Sequence, residues 1–356
     1  MSDSDQARQP GLTVLADGVP VRGAMTAHVV NTNHAGADRF RVRVALSADP
    51  AMGIGFWGSA DGTALEIRFG LGGSSALAVE GLIDRVDVDA VRRIATLDGR
   101  DRTAAMIEAR TTEAFANRTS SEIASLLAGR HGLTPDVATT STPVGRYWQL
   151  EHDRVTLDRF SRARTEWDLL VNLAAHESFD VWVRGTTLFF QPQTAMANAV
   201  VLRTRAGADG PANVTDLRLE RALTLARDIE VSVKSWNSKL AQGFTQTARA
   251  TRRGSGLGAI GEVLRYSYVV PDLLPDAALA LAQRTLRELS AHERVIEAEM
   301  PGDLTLDARA SVRVAGTDSE WDQEYIVDEV TRSWDSYRGF QQIVRARNVS
   351  NGVEIT

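Results

Sequence analysis

The chain has 356 residues, of which 43% are hydrophobic and 24% are charged, enough for one large domain or two to three ordinary domains with packed cores. Its formal net charge of −6 gives no support for a dedicated nucleic-acid-binding protein, because such proteins carry a clustered basic surface. The absence of cysteine excludes disulfides, thiolate catalysis and cysteine zinc sites.

The first ten residues, MSDSDQARQP, are polar and acidic. They lack the basic start and apolar centre of a signal peptide, and no segment of the sequence reaches the length of an apolar membrane span. The sequence therefore predicts a protein that is made and folds in a cytoplasm, with no stable membrane association.

Residues 1–102 are predicted to form a first antiparallel β domain. Asp17-Gly18 lies between two short apolar runs, which is typical of a two-residue hairpin turn. The segment RFRVRVAL at 39–46 alternates strictly, with apolar residues on one face and arginines on the other. The segments at 63–69 and 76–89 repeat this period of two, so we expect a barrel or a sandwich.

An apolar alternation from Val91 to Leu97 leads into Gly99, which is flanked by Asp98, Arg100 and Asp101. A strand, a glycine turn and a helix start also occur in phosphate sites and nucleophile elbows. Here no glycine-rich cradle follows, and the two acids favour a helix N-terminus but would repel a phosphate. The pattern predicts a domain junction, with a turn at Gly99 and a helix that begins at Asp101.

Residues 103–192 are predicted to form an α/β insert. Thr119 and Glu122 have capping-box spacing at the start of one helix, and Gly132 is placed to end it. A second helix is predicted over 166–178, followed by a hairpin at 179–192 that turns near Arg184-Gly185. We expect the core of the insert to contain Ile123, Leu126, Leu127, Leu170 and Val171.

Residues 193–356 are predicted to form a second β domain with a helical excursion at about 262–299. The helix lies in PDAALALAQRTLRELSAHER, and its predicted apolar side contains Ala278, Leu281, Thr285 and Leu289. The predicted fold class is therefore α+β, mainly β, with two antiparallel β domains, an α/β insert and a helix within the second β domain.

The segment GSGLGAIG matches the spacing of a dinucleotide fingerprint, but its context does not fit. No buried apolar strand precedes it, and Pro271 follows too soon for a crossover helix. We interpret it as a loop between strands, made basic by neighbouring arginines that could contact a partner or DNA. The glycines are Gly256, Gly258 and Gly261, and the arginines are Arg249, Arg252 and Arg253.

The sequence shows no pattern of a catalytic, cofactor-binding or metal-binding site. The segments EHD at 151–153 and HESFD at 176–180 contain ligand types without a zinc or facial-triad spacing. Nothing favours Glu108 and Glu113 as a hydrolase pair over two solvated helix residues. The six histidines form no HxH or HExxH pair; they are His28, His34, His131, His152, His176 and His292.

Five short elements of the sequence form a recognisable pattern: GLI at 81–83, GRD at 99–101, NRT at 117–119, EIA at 122–124 and HGL at 131–133. With these elements the sequence resembles the late control protein D family of tailed phages, the baseplate hub or tail hub proteins of contractile tails. Residues 162–192 are similar to the second insert helix and hairpin of that family, and residues 323–348 are similar to its C-terminal barrel strands. The resemblance extends over most of the chain and its motifs are structural.

The resemblance implies a non-enzymatic, homotrimeric hub with two tube-like barrels in each subunit, placed where the tail tube meets a central spike. Its implied partners are the tail tube protein, a separate spike protein, and the tape measure and baseplate wedge proteins, with DNA only passing through the channel. No cofactor is implied. The implied location is the virion tail baseplate, assembled in the host cytoplasm.

Two alternatives remain open from the sequence. One is the hub of a phage-derived injection system or bacteriocin, since the hub part of type VI secretion spike proteins shares the fold of this family. The other is a hub with peptidoglycan-cleaving activity.

Overall fold

The computed structural model describes residues 9–111, 113, 115, 117–141, 143–144, 146–149, 152–155, 165–192, 200–207, 210–223, 228–237, 242–252, 263–270, 273–349 and 353–355. These residues form mainly antiparallel strands with few helices, so the predicted α+β, mainly β class is confirmed. The chain divides into two compact units: unit 1 contains 1–197, 300–309 and 329–343, and unit 2 contains 198–299, 310–328 and 344–356. The three-domain organisation stays a prediction.

Unit 1 is built on one antiparallel sheet. Its strands are β1 (Pro10–Ala16), β2 (Val19–Pro20), β3 (Ala24–Thr32), β4 (Arg39–Ala45), β5 (Ala64–Leu71), β6 (Ser74–Asp89), β7 (Ile94–Asp101) and β22 (Glu324–Asp335), with α1 (Ile54–Gly58) between β4 and β5. The strand order is β22-β3-β4-β7-β6-β5-β1-β2. Asp17 and Gly18 have φ of 47° and 79°, which confirms the predicted hairpin turn.

The apolar face of this sheet encloses one core. Along β4 the apolar residues Phe40, Val42 and Val44 are buried and the alternating arginines are exposed, as the period-two pattern predicts. The core also contains Val14 from the opposite end of the sheet. Phe340 joins the same core and stacks on Phe69, with 4.6 Å between the ring centroids.

The predicted turn at Gly99 is wrong, because β7 continues through Gly99 to Asp101 and the next helix begins at Thr103. A Cβ atom on Gly99 would lie 2.2 Å from the carbonyl oxygen of Leu82 and 2.3 Å from Cζ of Phe40. The glycine is therefore required by the close approach of a neighbouring strand and an aromatic ring, not by a turn.

The insert has a core of its own, in which Ile123, Leu127 and Leu170 are fully buried and Leu126 and Val171 are partly buried. Both long helices begin with capping boxes, and Gly132 ends the first of them with φ of 67°. The elements are α2 (Thr103–Glu108), β8 (Arg118–Thr119), α3 (Ser120–Arg130), β9 (Thr134–Val137), β10 (Pro143–Val144), β11 (Arg146–Gln149), β12 (His152–Val155), α4 (Glu166–Glu177), β13 (Phe179–Arg184) and β14 (Thr187–Pro192).

We expect Leu127→Ala to lower the free energy of unfolding of the insert by about 2–5 kcal/mol, because it removes a fully buried side chain and leaves a cavity. The matched control is Leu126→Ala, the same change at the preceding position. Leu126 is only partly buried, so this variant should lower the free energy of unfolding clearly less. Urea denaturation followed by circular dichroism measures both. Equal costs for the two variants would contradict the assigned face of α3.

Unit 2 contains a helix, α5 (Pro275–Ser290), and the strands β15 (Val200–Arg203), β16 (Asp216–Arg221), β17 (Ile229–Asn237), β18 (Gln242–Arg252), β19 (Leu264–Val269), β20 (Arg294–Pro301), β21 (Ser311–Ala315), β23 (Gly339–Asn348) and β24 (Val353–Ile355). A four-stranded sheet, β19-β17-β18-β24, packs one face on α5. Two of them, β20 and β23, contain residues of both units, as β22 does.

The buried face of α5 is rotated from the predicted one. Ala278, Ala282 and Leu286 are fully buried, whereas Leu281 and Leu289 only flank them. The small side chains of Ala278 and Ala282 let the helix lie close to the sheet. A prediction that places the largest apolar side chains on the buried face does not take this close packing into account. Within the described residues, no helix is long and apolar enough to cross a membrane.

Candidate functional site: a buried polar cluster in unit 1

The prediction of a basic loop is wrong for two of its arginines, and the rest of the predicted loop lies outside the described residues. Arg249 and Arg252 lie in β18, and Arg249 is exposed with Asp228 at 4.0 Å. Arg253 and the glycines of GSGLGAIG lie outside the described residues. The segment that follows them forms β19, as its β-branched and aromatic content predicts.

Glu108 and Glu113, the acids weighed as a hydrolase pair, bind two different arginines, and one of these, Arg130, also binds Glu166. Glu108 accepts a hydrogen bond from Arg100 at 2.6 Å, and Glu113 accepts one from Arg130 at 2.8 Å. The Nε2 atom of His131 lies 2.5 Å from the carboxylate of the buried Glu166, which joins the end of α3 to the start of α4.

The remaining histidines are dispersed. Burial beside Arg41 and Arg39 lowers the pKa of His28, and Nδ1 of His292 lies 2.9 Å from the carbonyl oxygen of Glu288. His176 is in the last turn of α4, and His152 is in β12. The part of the chain that the structure describes contains no group of three or more metal-ligating side chains.

The charged residues that do converge form a buried cluster, which sequence reasoning missed. The carboxylate of Asp38 accepts hydrogen bonds from Nδ2 of Asn31 at 2.7 Å and from the backbone N–H of Thr32 at 2.8 Å. Asp101 donates its backbone N–H to the carbonyl oxygen of Asp38 and accepts from the N–H and hydroxyl of Thr103. Asp101 therefore does orient the start of α2, as its sequence position indicates.

Two arginines complete the cluster. The guanidinium of the buried Arg332 donates to the side-chain oxygen of Asn31 and to the carbonyl oxygen of Leu306. Arg309 donates to the carbonyl oxygen of Thr32 at 3.2 Å, and its guanidinium lies 4.9 Å from the ring centroid of Trp182. The cluster thereby ties together the sheet, the insert and the segment 300–309.

Burial is the largest influence on the pKa values of the two acids in this cluster. Burial raises the pKa of Asp101 to about 8, and the nearby charge of Asp38 acts in the same direction. Burial also raises the pKa of Asp38, against the hydrogen bonds from Asn31 and Thr32. Asp101 therefore holds a proton at neutral pH, which leaves one fewer negative charge to be neutralised by the buried arginines.

A cavity of about 110 Å³ adjoins the cluster and is lined by Asp38, Asp101, Arg309, Arg332 and Trp182, among others. This volume is well below the roughly 300 Å³ of ordinary ligand pockets. These charged groups bind Asn31, Thr103 and backbone atoms, so the arrangement is suited to holding three segments in place. The one signal in the sequence is Arg332 at an inward position of β22, between the buried Val330 and the half-buried Trp334.

A second feature of unit 1 is an apolar surface at one end of its sheet. In an antiparallel sheet, alternate connections share an end, so the β2–β3, β4–β5 and β6–β7 connections lie together. The described residues of 9–192 expose five large apolar side chains, each in or beside one of these connections; they are Val19, Met25, Ile54, Phe56 and Val91. A concentration of this kind is typical of a surface that contacts another protein.

Comparison with solved structures shows that the chain has the fold of phage tail proteins. The 43 kDa tail protein of prophage MuSo2 from Shewanella oneidensis aligns over 97% of this chain and 100% of its own, with a TM-score of 0.70 and 16% identity. A tail protein from Neisseria meningitidis MC58 aligns over 97% and 99%, with a TM-score of 0.68 and 14% identity.

A third similar structure is an Escherichia coli component of the type VI secretion system, described as structurally similar to the T4 phage tail proteins gp27 and gp5. It aligns over 94% of this chain and 76% of its own, with a TM-score of 0.55 and 11% identity. No protein-family model and no curated protein sequence matches the chain. The fold resemblance that the sequence motifs indicated is confirmed.

Proposed function

We propose that the chain is a structural hub protein of a contractile phage tail, a trimeric adaptor that joins the hexameric tail tube to the central spike and forms part of the DNA channel. The observation that carries this proposal is the likeness to phage tail proteins over 97% of the chain. The proposed location is the tail baseplate of the virion, assembled in the host cytoplasm.

Symmetry supplies the physical argument. If each copy contributes two tube-like β domains, three copies present six such domains around one axis. A sixfold tube then docks on one face, and the true threefold symmetry suits a trimeric spike on the other. The apolar end of unit 1 supports docking against another protein. Tape measure and baseplate wedge proteins are further proposed partners.

A cryo-EM map of the intact particle tests the proposal. We expect three copies of the chain in one ring between the tube and the spike, with two tube-like domains in each copy. Six copies in a ring, one such domain in each copy, or a position away from the tail axis would refute the proposal.

The hub is proposed to be non-enzymatic, in line with its likeness to structural tail proteins. A zymogram of the purified full chain on peptidoglycan should show no lytic band beside an active lysozyme control. A clear band that persists after repurification would instead support the alternative of a peptidoglycan-cleaving hub.

We expect the purified protein to bind DNA only weakly and in a salt-sensitive manner, because its net charge is −6 and DNA should slide through the ring without sticking. Fluorescence anisotropy with a labelled duplex at low and at physiological salt measures this. Tight binding at physiological salt would contradict the prediction, and Arg252→Gln with Arg253→Gln would then identify its source.

The second candidate function is the hub of a bacterial injection system of phage origin, which the likeness to a type VI secretion component favours. The two candidates predict the same protein in different particles. Capsid and terminase genes beside the coding sequence would indicate a phage, whereas secretion-system genes would indicate the alternative.

A further inference from the structure

Two strand segments in the described part of the chain have one side without a paired strand. In unit 1, β6 pairs with β5 from Ser74 to Leu82 and with β7 from Gly81 to Asp89, so residues 84–89 are paired on the β7 side alone. In unit 2, β16 pairs with β20 and with no other described strand. An unpaired edge presents free N–H and C=O groups to another chain.

The inner face of β16 is incompletely covered. Leu217 and Leu219 lie opposite Ala298 and Ile296, both of which are fully buried. Leu219 nevertheless remains 38% exposed. The apolar layer of this sheet thus continues past its last strand, and a further strand with apolar residues on the same face would cover it.

The free edge of β6 has the matching pattern. Val86 and Val88 are partly buried against the core of unit 1. Arg85 and Asp87 are exposed on the opposite face, where they form an ion pair of 3.3 Å. One face of this segment is therefore apolar and the other charged, as on β16, whose outer face carries Asp216, Arg218 and Glu220.

We propose that β16 of one copy of the chain pairs antiparallel with residues 84–89 of β6 in a second copy. In one register, Leu217 lies opposite Val88 and Leu219 opposite Val86. The same register places Arg218 opposite Asp87 and Glu220 opposite Arg85. Apolar pairs on one face and opposite charges on the other are the combinations that stabilise neighbouring strands.

One pair in this register has like charges, Asp216 opposite Asp89. The carboxylate of Asp89 already accepts hydrogen bonds from the backbone N–H groups of Val91 and Arg92 and from the Arg92 guanidinium. Those bonds lower the pKa of Asp89, so its carboxylate stays charged and the like-charge pair opposes the register at this end of the ladder. Arg92 lies 3.3 Å from Asp89 and Arg218 lies 3.4 Å from Asp216, and these two cations offset part of the repulsion.

Backbone orientation agrees with the register. The N–H of Ala222 bonds the carbonyl oxygen of Glu293, so by alternation residues 217, 219 and 221 direct their polar groups to the free edge; the alternation ends before β16, since the N–H of Thr215 bonds Glu299 on the β20 side. On β6, the N–H of Ile83 points away from β7 and bonds the carbonyl oxygen of Thr63. The register of β6 against β7 shifts by one residue at Asp84. Beyond this bulge the even-numbered residues, Val86 and Val88, therefore direct their backbone polar groups away from β7, toward the free edge. Leu217 with Val88, and Leu219 with Val86, can each exchange two hydrogen bonds.

This contact joins two different surfaces, so it is heterologous, and copies linked by it form a closed ring where the rotation from one copy to the next closes. The inference rests on the proposed ring of copies and identifies the partner at each edge as a second copy of this chain. It also explains why a strand with half-exposed leucines is tolerated at the edge of a sheet, since the ring would cover it.

The test uses the absence of native cysteine. Opposed residues in an antiparallel ladder have Cα atoms about 4.5–5.5 Å apart, within the range of a disulfide. We expect particles that carry Arg218→Cys with Asp87→Cys to form covalent dimers and trimers on mild oxidation, with roughly tenfold more product than the control. The control is Arg218→Cys with Arg92→Cys, an exposed site beyond the paired segment.

A second measurement covers the case in which a cysteine variant fails to assemble. Arg218→Asp should lower the yield of particles, and Arg218→Asp combined with Asp87→Arg should restore it. Cross-linking no greater than the control, or no rescue by the charge swap, overturns the strand pairing. If the particle map still shows three copies in a ring, the proposed function stands and only the strand pairing fails.

Discussion

Gly81→Ala is expected to lower the free energy of unfolding of unit 1 by about 1–3 kcal/mol. A Cβ atom at this position would lie 2.0 Å from the carbonyl oxygen of Arg100 and 2.8 Å from Cα of Asp101. These are backbone atoms of the neighbouring strand β7, so no side-chain rotation can relieve the clash and the two strands must separate. Denaturant unfolding of the purified chain, followed by circular dichroism, measures the loss.

The matched control is Gly129→Ala on α3. This glycine is exposed in a helix, and a Cβ atom there meets nothing within 4 Å. Alanine should stabilise the helix by about 0.5–1 kcal/mol, because glycine loses more backbone entropy on folding. The same substitution is thus expected to lower the free energy of unfolding at Gly81 and to raise it at Gly129. A loss below about 1 kcal/mol at Gly81 would show that β6 and β7 are not in close contact there.

The glycines show where sequence reasoning stops. Gly99 stands out in the sequence because charges surround it, yet the turn predicted there is wrong. A glycine required by a turn and a glycine required by a neighbouring strand look alike in one dimension. What separates them is the position of Leu82 and Phe40 across the sheet, and only the folded structure supplies it.

The sequence predicts features that depend on neighbouring residues correctly. The capping box of Thr119 and Glu122 and the hairpin turn at Asp17-Gly18 depend on residues within a few positions of each other. The buried cluster depends on long-range contact, since Arg332 and Asn31 are 301 positions apart. Even the inward arginine on β22 does not indicate which acid or amide it will meet, so the sequence could not predict this site.

Asp101→Asn is expected to make unit 1 more stable above pH 8 and to flatten its dependence on pH. Burial raises the pKa of Asp101 to about 8 in the folded state, whereas an unfolded aspartate titrates near its ordinary value of about 3.9. Between these values the folded state binds the extra proton, so stability falls as the pH rises from about 4 to about 8. Above pH 8 the wild-type carboxylate is charged and buried, while asparagine stays neutral, can accept the backbone N–H of Thr103 with its one oxygen and can donate its Nδ2 to the Thr103 hydroxyl.

The difference in melting temperature between pH 5 and pH 9 should therefore be smaller in Asp101→Asn than in the wild type. One titrating proton changes the free energy of unfolding by at most about 1.4 kcal/mol for each pH unit. The control is Asp89→Asn: hydrogen bonds lower the pKa of Asp89, so its contribution is lost only as the pH falls through the acid range. Parallel curves for wild type and Asp101→Asn between pH 5 and pH 9 would mean that Asp101 is ionised in the folded protein, and that the arginines of the cluster balance two acids instead of one.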